Sequence, residues 1–428
     1  MKILHTADWH LGRSLHGADL TPAFEQFTSW IVDLVNTERI DAVLIAGDIF
    51  DRGIAPVEMV TLLSQTLNQL SELTQVVLIP GNHDSAKRLG FGSELMRKEV
   101  QIRINTQQCG VPVPIFNKAG KIGALVYPIP YLDPTIEREK LSVSSQQNVL
   151  SQQTNEKLNT ASKETILEEM ADKASPALLP RTHQAVLSAA MEQIKNTITS
   201  GEFAEFTGPQ IVMAHAFISG SEPSSSETNL EAGGVDAAAT NTFEIAPNIN
   251  YVALGHIHRP QTMHSPSGIP IRYSGSPIAF SFSEAGQEKS VTILEFSELS
   301  NTPEITKIPV PSWREISTIE GTFAEIIGPN FTQYRDDFVR IYLRDELRPD
   351  NAVARLRQIF PNLLQVQHQP ELATLQSQEN VTEKQNSSPL ELITKFFTET
   401  GNRELSETES VLISEIWTEL NKSNPEEK

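Results

Sequence analysis

Residues 76–84 read Val76-Val77-Leu78-Ile79-Pro80-Gly81-Asn82-His83-Asp84. The opening run is short, apolar and β-branched, and Pro80 and Gly81 end it, which predicts a buried strand. A cluster of side chains able to bind metal follows at once. The same arrangement recurs on either side. Ile3-Leu4 runs toward Asp8-Trp9-His10, Ala42 to Ala46 toward Gly47-Asp48, Ile211 to Ala214 toward His215, and Tyr251 to Leu254 toward Gly255-His256-Ile257-His258. In an open α/β sheet ligands gather at the carboxyl ends of the strands, so five loops distant in sequence can converge.

Residues two apart in extended chain point to one side, which lets Asp8 act with His10 and His256 with His258. Gly47, Gly81 and Gly255 allow the backbone to approach a crowded centre. The candidate ligands are Asp8, His10, Asp48, Asn82, His215, His256 and His258. They are too many for one ion and a suitable number for two that share a carboxylate. An oxygen and imidazole set without sulfur suits Mn²⁺, Mg²⁺ or iron rather than a closed zinc site. Two ions about 3.5–4 Å apart can bind a bridging water as hydroxide and clamp a phosphoryl centre during in-line displacement. The reaction so implied is phosphoester hydrolysis.

Short strands alternating with amphipathic segments predict an α/β domain. The first helix has Thr21 as N-cap, Pro22 at its first position, and Phe24, Phe27, Ile31, Leu34 and Val35 on one face. Residues 132–206 form a polar insertion that is partly helical, since Leu187, Met191, Ile194 and Ile198 recur at helical spacing. Strand signals at Ile271 to Tyr273 and Val291 to Phe296 carry the first domain, 1–297, to its end. Residues 303–375 read as a small α+β unit, 376–387 as a polar linker, and 388–421 as two helices. Capping boxes at Ser388–Glu391 and Ser406–Glu409 open those helices, whose apolar faces need a further surface to cover them.

With 34 Lys+Arg against 54 Asp+Glu the 428-residue chain carries a formal charge of -20. That excludes holding nucleic acid by bulk attraction, so a phosphate-rich substrate must be gripped locally. Arg13, Arg52, Lys87, Arg88 and Arg259 lie near the metal segments and are candidates for that grip, ordinary surface charge being the competing reading. The single Cys109 forms no internal disulfide, which suits a reducing cytoplasm. No apolar run approaches the ~18 residues of a membrane span, and the N-terminus has no secretory-signal pattern. No Gly-x-x-x-x-Gly-Lys-Ser/Thr segment occurs, so this chain is not expected to bind a nucleotide itself.

The ordered series D-x-H, G-D, G-N-H-D, H and G-H-x-H resembles that of the calcineurin-like metallophosphoesterases. The longer strings Ile3 to Gly12, Gly47 to Asp51, Gly81 to Ser85, Tyr251 to His258 and Tyr273-Ser274-Gly275-Ser276-Pro277 resemble the SbcD-type nucleases of double-strand-break repair. The likeness is strong over residues 1–297 apart from the insertion, and weaker beyond. It implies a metallophosphoesterase sandwich of two sheets flanked by helices, then a small α+β capping and DNA-binding domain, then a C-terminal helical hairpin. It implies that Asp8, His10, Asp48 and His258 hold one metal and Asp48, Asn82, His215 and His256 the other. His83 would be catalytic, protonating the leaving 3′ oxygen or stabilising phosphate charge, and Asp84 would orient a histidine. Asp51 stands where archaeal relatives can have His, and is a candidate for supporting the ligands or contacting substrate. Ala214 stands where the family often has Gly.

The resemblance further implies a Mn²⁺-dependent DNA nuclease, with Mg²⁺ an alternative. It would act as a 3′ to 5′ double-strand exonuclease and a single-strand and hairpin endonuclease in DNA repair, recombination and replication. A homodimer through the nuclease domain would pair with two SbcC-type coiled-coil ATPase subunits. Leu392, Phe396, Phe397, Ile416 and Trp417 would bind the base of the coiled coil. Two other readings compete: a calcineurin-like phosphodiesterase or phosphatase on a non-DNA substrate, and a DNA-end-tethering scaffold. The C-terminal partner module weighs against the former and the intact ligand set against the latter.

Overall fold

A computed structural model describes residues 1–142, 178–227 and 237–370, with Ser406, Glu409, Ser410 and Ile413. It divides into two units, Met1–Ser317 with Asp336–Phe338, and Thr318–Arg335 with Val339–Lys428.

In the first unit the apolar runs become strands and the amphipathic segments helices. The order is β1 (Lys2–Thr6), α1 (Thr21–Glu38), β2 (Ala42–Ala46), α2 (Val57–Leu73), β3 (Gln75–Ile79), β4 (Val100–Ile102), β5 (Val113–Phe116), β6 (Ile122–Ile129), α3 (His183–Ser200), β7 (Gln210–His215), β8 (Tyr251–Gly255), β9 (Gln261–Met263), β10 (Ile271–Tyr273), β11 (Ser290–Ser297) and β12 (Ser300–Pro309), with short helical turns between. One sheet has the strand order β12-β11-β1-β2-β3-β4 and the other β9-β10-β8-β7-β6-β5. The inner strands of each run parallel. Antiparallel strands close the edges at β11, β12, β9 and β5.

The two sheets face each other across a shared core of Ile3, Leu44, Val77 and Ile79 from one and Val126, Ile211, Met213 and Tyr251 from the other. Both faces of β2 are covered, and all five of its residues are buried. This is why it reads as a continuous apolar run rather than an alternation. Helix α1 buries Phe24, Phe27, Ile31 and Val35, and α2 buries Met59, Leu63, Leu67 and Leu70. Helix α3 packs Val186, Leu187, Met191 and Ile194 against Tyr127, Val212 and Leu254 on the outer face of the second sheet.

The structure amends three expectations. Helix α1 has Leu20, not Thr21, at its N-cap. The Asp19 carboxylate does the capping, accepting from Thr21 N at 2.9 Å and Thr21 Oγ1 at 2.7 Å. Part of the polar insertion is integral: β6 and β7 are parallel neighbours, and α3 is the crossover between them. Last, residues 303–309 do not open the small domain. They belong to β12, which pairs along β11 and carries the first unit past 297. The strand is nearly all exposed, with only Pro303 buried, so no apolar pattern announced it.

The second unit takes most of β13 (Ile316–Gly321) and β14 (Phe338–Leu343), whose first residues are counted with the first unit, and all of α4 (Ala352–Ile359) and β15 (Leu363–His368), in the sheet order β13-β14-β15. β14 and β15 are parallel and α4 connects them. Their core is Ile319, Phe323, Ile326, Val339, Ile341, Leu343, Leu356 and Phe360. The linker 376–387 lies outside the described residues, as do Leu392, Phe396, Phe397, Ile416 and Trp417. At Ser406 the expected capping box is present: Ser406 N donates to Glu409 Oε2 at 2.9 Å, and Glu409 N returns to Ser406 Oγ at 3.4 Å. Among the described residues no helix is long and apolar enough to cross a membrane.

Candidate metal centre

Five strands, β1, β2, β3, β7 and β8, deliver ligand residues at their carboxyl ends, where the chain must turn sharply between two closely packed sheets. A Cβ on Gly47 would overlap the His215 ring, one on Gly81 the Asp48 carboxylate, and one on Gly255 the carbonyl oxygen of Ala46. The ligands themselves occupy unusual backbone. Asp8 (φ 54°), His10 (φ 45°), Asp48 (φ 48°) and His256 (φ 109°) lie at positive φ. Such backbone persists only where surrounding bonds over-determine it, and it clusters at functional sites. Here Asp8 N donates to Gly47 O and His10 N to Asp48 O, both at 3.0 Å.

The side chains meet in two groups that share Asp48. In the first, Asp8, His10 and His258 present ligand atoms within 4.8 Å of one another. His10 Nε2 and His258 Nε2 are 3.0 Å apart, and His10 Nε2 is 3.5 Å from Asp48 Oδ2. In the second, His215 Nε2 is 3.4 Å from Asp48 Oδ2, and Asn82 Oδ1 lies 3.0 Å from both His215 Nε2 and His256 Nδ1. All seven expected ligands therefore converge, His215 included despite Ala214 before it.

Among the described residues neither Asp8 nor Asp48 is paired with lysine or arginine, though both are buried. Two buried carboxylates facing imidazole nitrogens, with no cationic side chain between, fit a pair of divalent ions. Burial disfavours charge throughout the cluster, and the close pairs within it decide which groups keep theirs. Burial pushes Asp8 well above the usual carboxylate range. Burial also holds His10 and His258 well below the usual imidazole range, and His256 down to about 3. For His215 burial opposes the charged form, but Asp48 outweighs it and raises the pKa to about 9. Burial likewise resists charge on Asp48, and His215 with His10 overcomes it and holds the carboxyl well below its usual range. A bound cation demands carboxylates and neutral imidazoles, so its entry expels protons.

The outer ring nitrogens are held by other groups than the sequence suggested. His215 Nδ1 meets Ala46 O at 2.8 Å, His83 Nδ1 meets Asp51 O at 2.8 Å, and His258 Nδ1 meets Ser226 Oγ at 2.6 Å. Asp84 orients none of them. Its carboxylate turns inward and accepts the backbone N–H groups of Ile49, Phe50 and Gly81, each at 2.9 Å, tying the loop after β3 to the loop after β2. Burial, followed by the nearby Asp48, pushes its pKa up to about 6.

The candidate substrate cations separate. Arg13 is largely buried: it donates to Ser226 O, lies 3.8 Å from Asp51 Oδ1, and stacks 5.1 Å from the Phe280 ring centroid. The Phe280 ring it stacks on also packs against His10 and His258. Asp51 also lies 3.9 Å from His10 Nδ1 and 3.5 Å from Arg52 Nη2. Arg52, Lys87 and Arg88 are exposed, and Arg259 is exposed but ion-paired with Glu222.

Sequence reasoning missed Ser226 and Glu227 in a serine-rich loop with no periodic signal, and Lys289 and Glu284 behind them. It also missed Tyr131, whose ring stands edge-on to His215 with centroids 6.1 Å apart. Tyr131 follows the end of β6, so the strand-end rule that found the ligands would have found it had it been applied to aromatic residues.

Residues 1–260 match the family described as calcineurin-like phosphoesterase. Residues 312–400 match SbcD_C, described as type 5 capsule protein repressor C-terminal domain. A relative from Staphylococcus epidermidis, by name the SbcD component of the nuclease SbcCD, is 28% identical over 367 residues, covering 85% of this chain and 84% of that protein. A solved dimetal phosphatase from Danio rerio is 12% identical with a TM-score of 0.41, covering 73% of this chain and 99% of its own. GAP50, the anchor in the inner membrane complex of Plasmodium, is 10% identical with a TM-score of 0.34, covering 87% and 98%.

Proposed function

Since the chain belongs to the calcineurin-like phosphoesterases, we propose that it is a metal-dependent DNA nuclease subunit of the SbcD type, a hydrolase working beside an SbcC-type ATPase. One observation carries this reading: at the strand ends Asp48 belongs both to a group with His215 and His256 and to one with His10 and His83, and His10 joins these to a third group with Asp8 and His258. Two divalent cations bound there, Mn²⁺ for preference, supply a nucleophilic water and stabilise charge on the phosphoryl oxygens. The protein's own contribution is to hold the groups around them. His83 N donates to Asp48 Oδ1 at 2.9 Å, and its ring stands 4.8 Å from that of His10. With Nδ1–H donating to the Asp51 carbonyl, a neutral ring leaves Nε2 without a proton, so His83 would protonate the leaving 3′ oxygen or donate to the phosphate through Nε2 as the imidazolium. Arg52 and Arg88, both exposed, are suited to contact phosphates along the strand.

The relative's name, that of one subunit of a nuclease, supports nuclease action and a partner subunit. In this reading the chain is a 3′ to 5′ double-strand exonuclease and a hairpin and single-strand endonuclease, with residues 388–421 docking on the ATPase. Exposed Ile54, Val57, Val60, Phe91 and Leu95 favour a homodimer through the first unit. A cytoplasmic location suits the lone buried Cys109. Purified protein with Mn²⁺ should open a DNA hairpin and degrade duplex ends. Hydrolysis of an aryl phosphodiester with no cleavage of either DNA would overturn the nuclease reading in favour of a non-DNA phosphodiesterase.

A further inference from the structure

Among the described residues His258 is the ligand histidine whose outer ring nitrogen meets a side-chain hydroxyl. Its ring Nδ1 meets Ser226 Oγ at 2.6 Å, its backbone N donates to Glu227 Oε1 at 2.7 Å, and its carbonyl accepts from Lys289 Nζ at 3.1 Å. Every polar atom except the ligating Nε2 therefore has a partner outside the centre. His10, facing it across 3.0 Å, has a buried Nδ1 with no hydrogen bond among the described residues.

The partners form a directed chain. Ser224 Oγ faces two carboxylate acceptors, Glu227 Oε2 at 2.7 Å and Glu284 Oε1 at 3.4 Å, so its proton is committed to a carboxylate, the nearer being Glu227. Ser226 Oγ lies 2.6 Å from Ser224 Oγ and must be the donor of that pair. With its own proton spent, Ser226 Oγ can only accept from His258 Nδ1–H. That fixes the imidazole tautomer and turns the Nε2 lone pair toward Asp8 and His10. Metal-binding imidazoles usually hold their outer N–H on a carboxylate or carbonyl. Here two hydroxyls span the distance to Glu227, and the same carboxylate also holds the main chain of His258. Lys289 completes the bracket, bonded to Ser276 Oγ at 3.0 Å and to Glu284.

We propose that Ser226, Ser224 and Glu227 form a hydroxyl relay that positions His258, and that this relay sets the affinity of the cation site built from Asp8, His10 and His258. They are positioning residues, since none touches the reacting atoms. The proposal rests on the dimetal reading of the centre and is independent of which phosphodiester is cleaved.

The test is titration of metal-free protein with Mn²⁺, followed by calorimetry and by the electron paramagnetic resonance of free Mn²⁺. Wild type should bind two ions. Ser226→Ala should weaken one of them about 10- to 100-fold and leave the other unchanged. Ser226→Thr, which keeps the hydroxyl, should restore it. Ser226→Cys, near-isosteric and a poor hydrogen-bond partner, should behave as alanine does and covers the case in which alanine leaves a disruptive hole. Unchanged affinities in Ser226→Ala, or a Thr variant as weak as the Ala one, would overturn the relay while leaving the centre standing. Fewer than two ions in wild type would sink the centre, and the relay with it.

Discussion

His215 Nδ1 lies 2.8 Å from the carbonyl oxygen of Ala46. The histidine ends a strand of one sheet and the alanine ends a strand of the other, so this bond joins the two halves of the sandwich where the metal ligands gather. Any side chain at Gly255 would strike that carbonyl.

Gly255→Ala should therefore part the sheets at the centre. Overpacking of this kind costs about 1–3 kcal/mol, so urea unfolding should show a lowered midpoint with an unchanged slope. Mn²⁺ binding should fall with it. A variant of wild-type stability would mean that the sheets adjust more freely than their packing implies.

Asp84→Asn replaces a carboxylate that accepts three backbone N–H groups. An amide cannot accept all three without turning its NH₂ toward a donor. The loss should be about 1–2 kcal/mol, the unpaired N–H outweighing the relief from burying a charge beside Asp48. Thermal unfolding of metal-free protein checks this, and a change below about 0.5 kcal/mol would contradict the role assigned to Asp84.

His83→Gln should retain both cations and lose cleavage by about 100- to 10,000-fold, the range for removing a positioned proton donor. Metal content by elemental analysis and single-turnover cleavage of a hairpin read the two separately. Loss of metal in parallel with activity would make His83 a ligand instead.

His5 gives a prediction in pH. It is buried between the sheets, with Nδ1 3.0 Å from Tyr251 Oη and Nε2 3.1 Å from Leu254 O. Burial, with help from Arg272, lowers its pKa to about 3. Between pH 6.5 and 3 the unfolded chain binds a proton here that the folded chain does not. Stability from this site is complete above pH 6.5 and declines as pH falls, by up to about 1.4 kcal/mol per pH unit. Denaturant unfolding of wild type and His5→Gln at pH 7 and pH 5.5 should give a smaller acid loss in the variant. Equal losses would remove His5 from the account.

The ligands were legible because each is local to its strand: an apolar run, closed by glycine before Asp48, Asn82 and His256, and then Asp, Asn or His. The rest depends on contacts between segments that no local pattern records. Asp84 sits beside Asn82 and His83 in sequence, yet its carboxylate points at the chain and not at an imidazole. Arg13 follows His10 closely and reads as a phosphate contact, but Asp51, Phe280 and the Ser226 carbonyl enclose it. Ser226 and Glu227 carry no periodicity, and their meaning comes only from His258 folding against them. The edge strand β12 is too polar to read as a strand, because residues on both of its faces are exposed.

The positive φ values at Asp8, His10, Asp48 and His256 bear on how such a protein changes under selection. Each strained residue costs about 1–3 kcal/mol, so together they rival the net stability of an ordinary domain. Glycine at any of the four would relieve its share, and a lineage selected for heat resistance alone would find those substitutions early, each time discarding a ligand. Members of the fold that have given up chemistry for scaffolding should then be recognisable by glycine at these turns, with the sandwich around them intact. Conversely, moving the seven ligand side chains onto an unstrained scaffold would transfer the residues without the backbone that aims them.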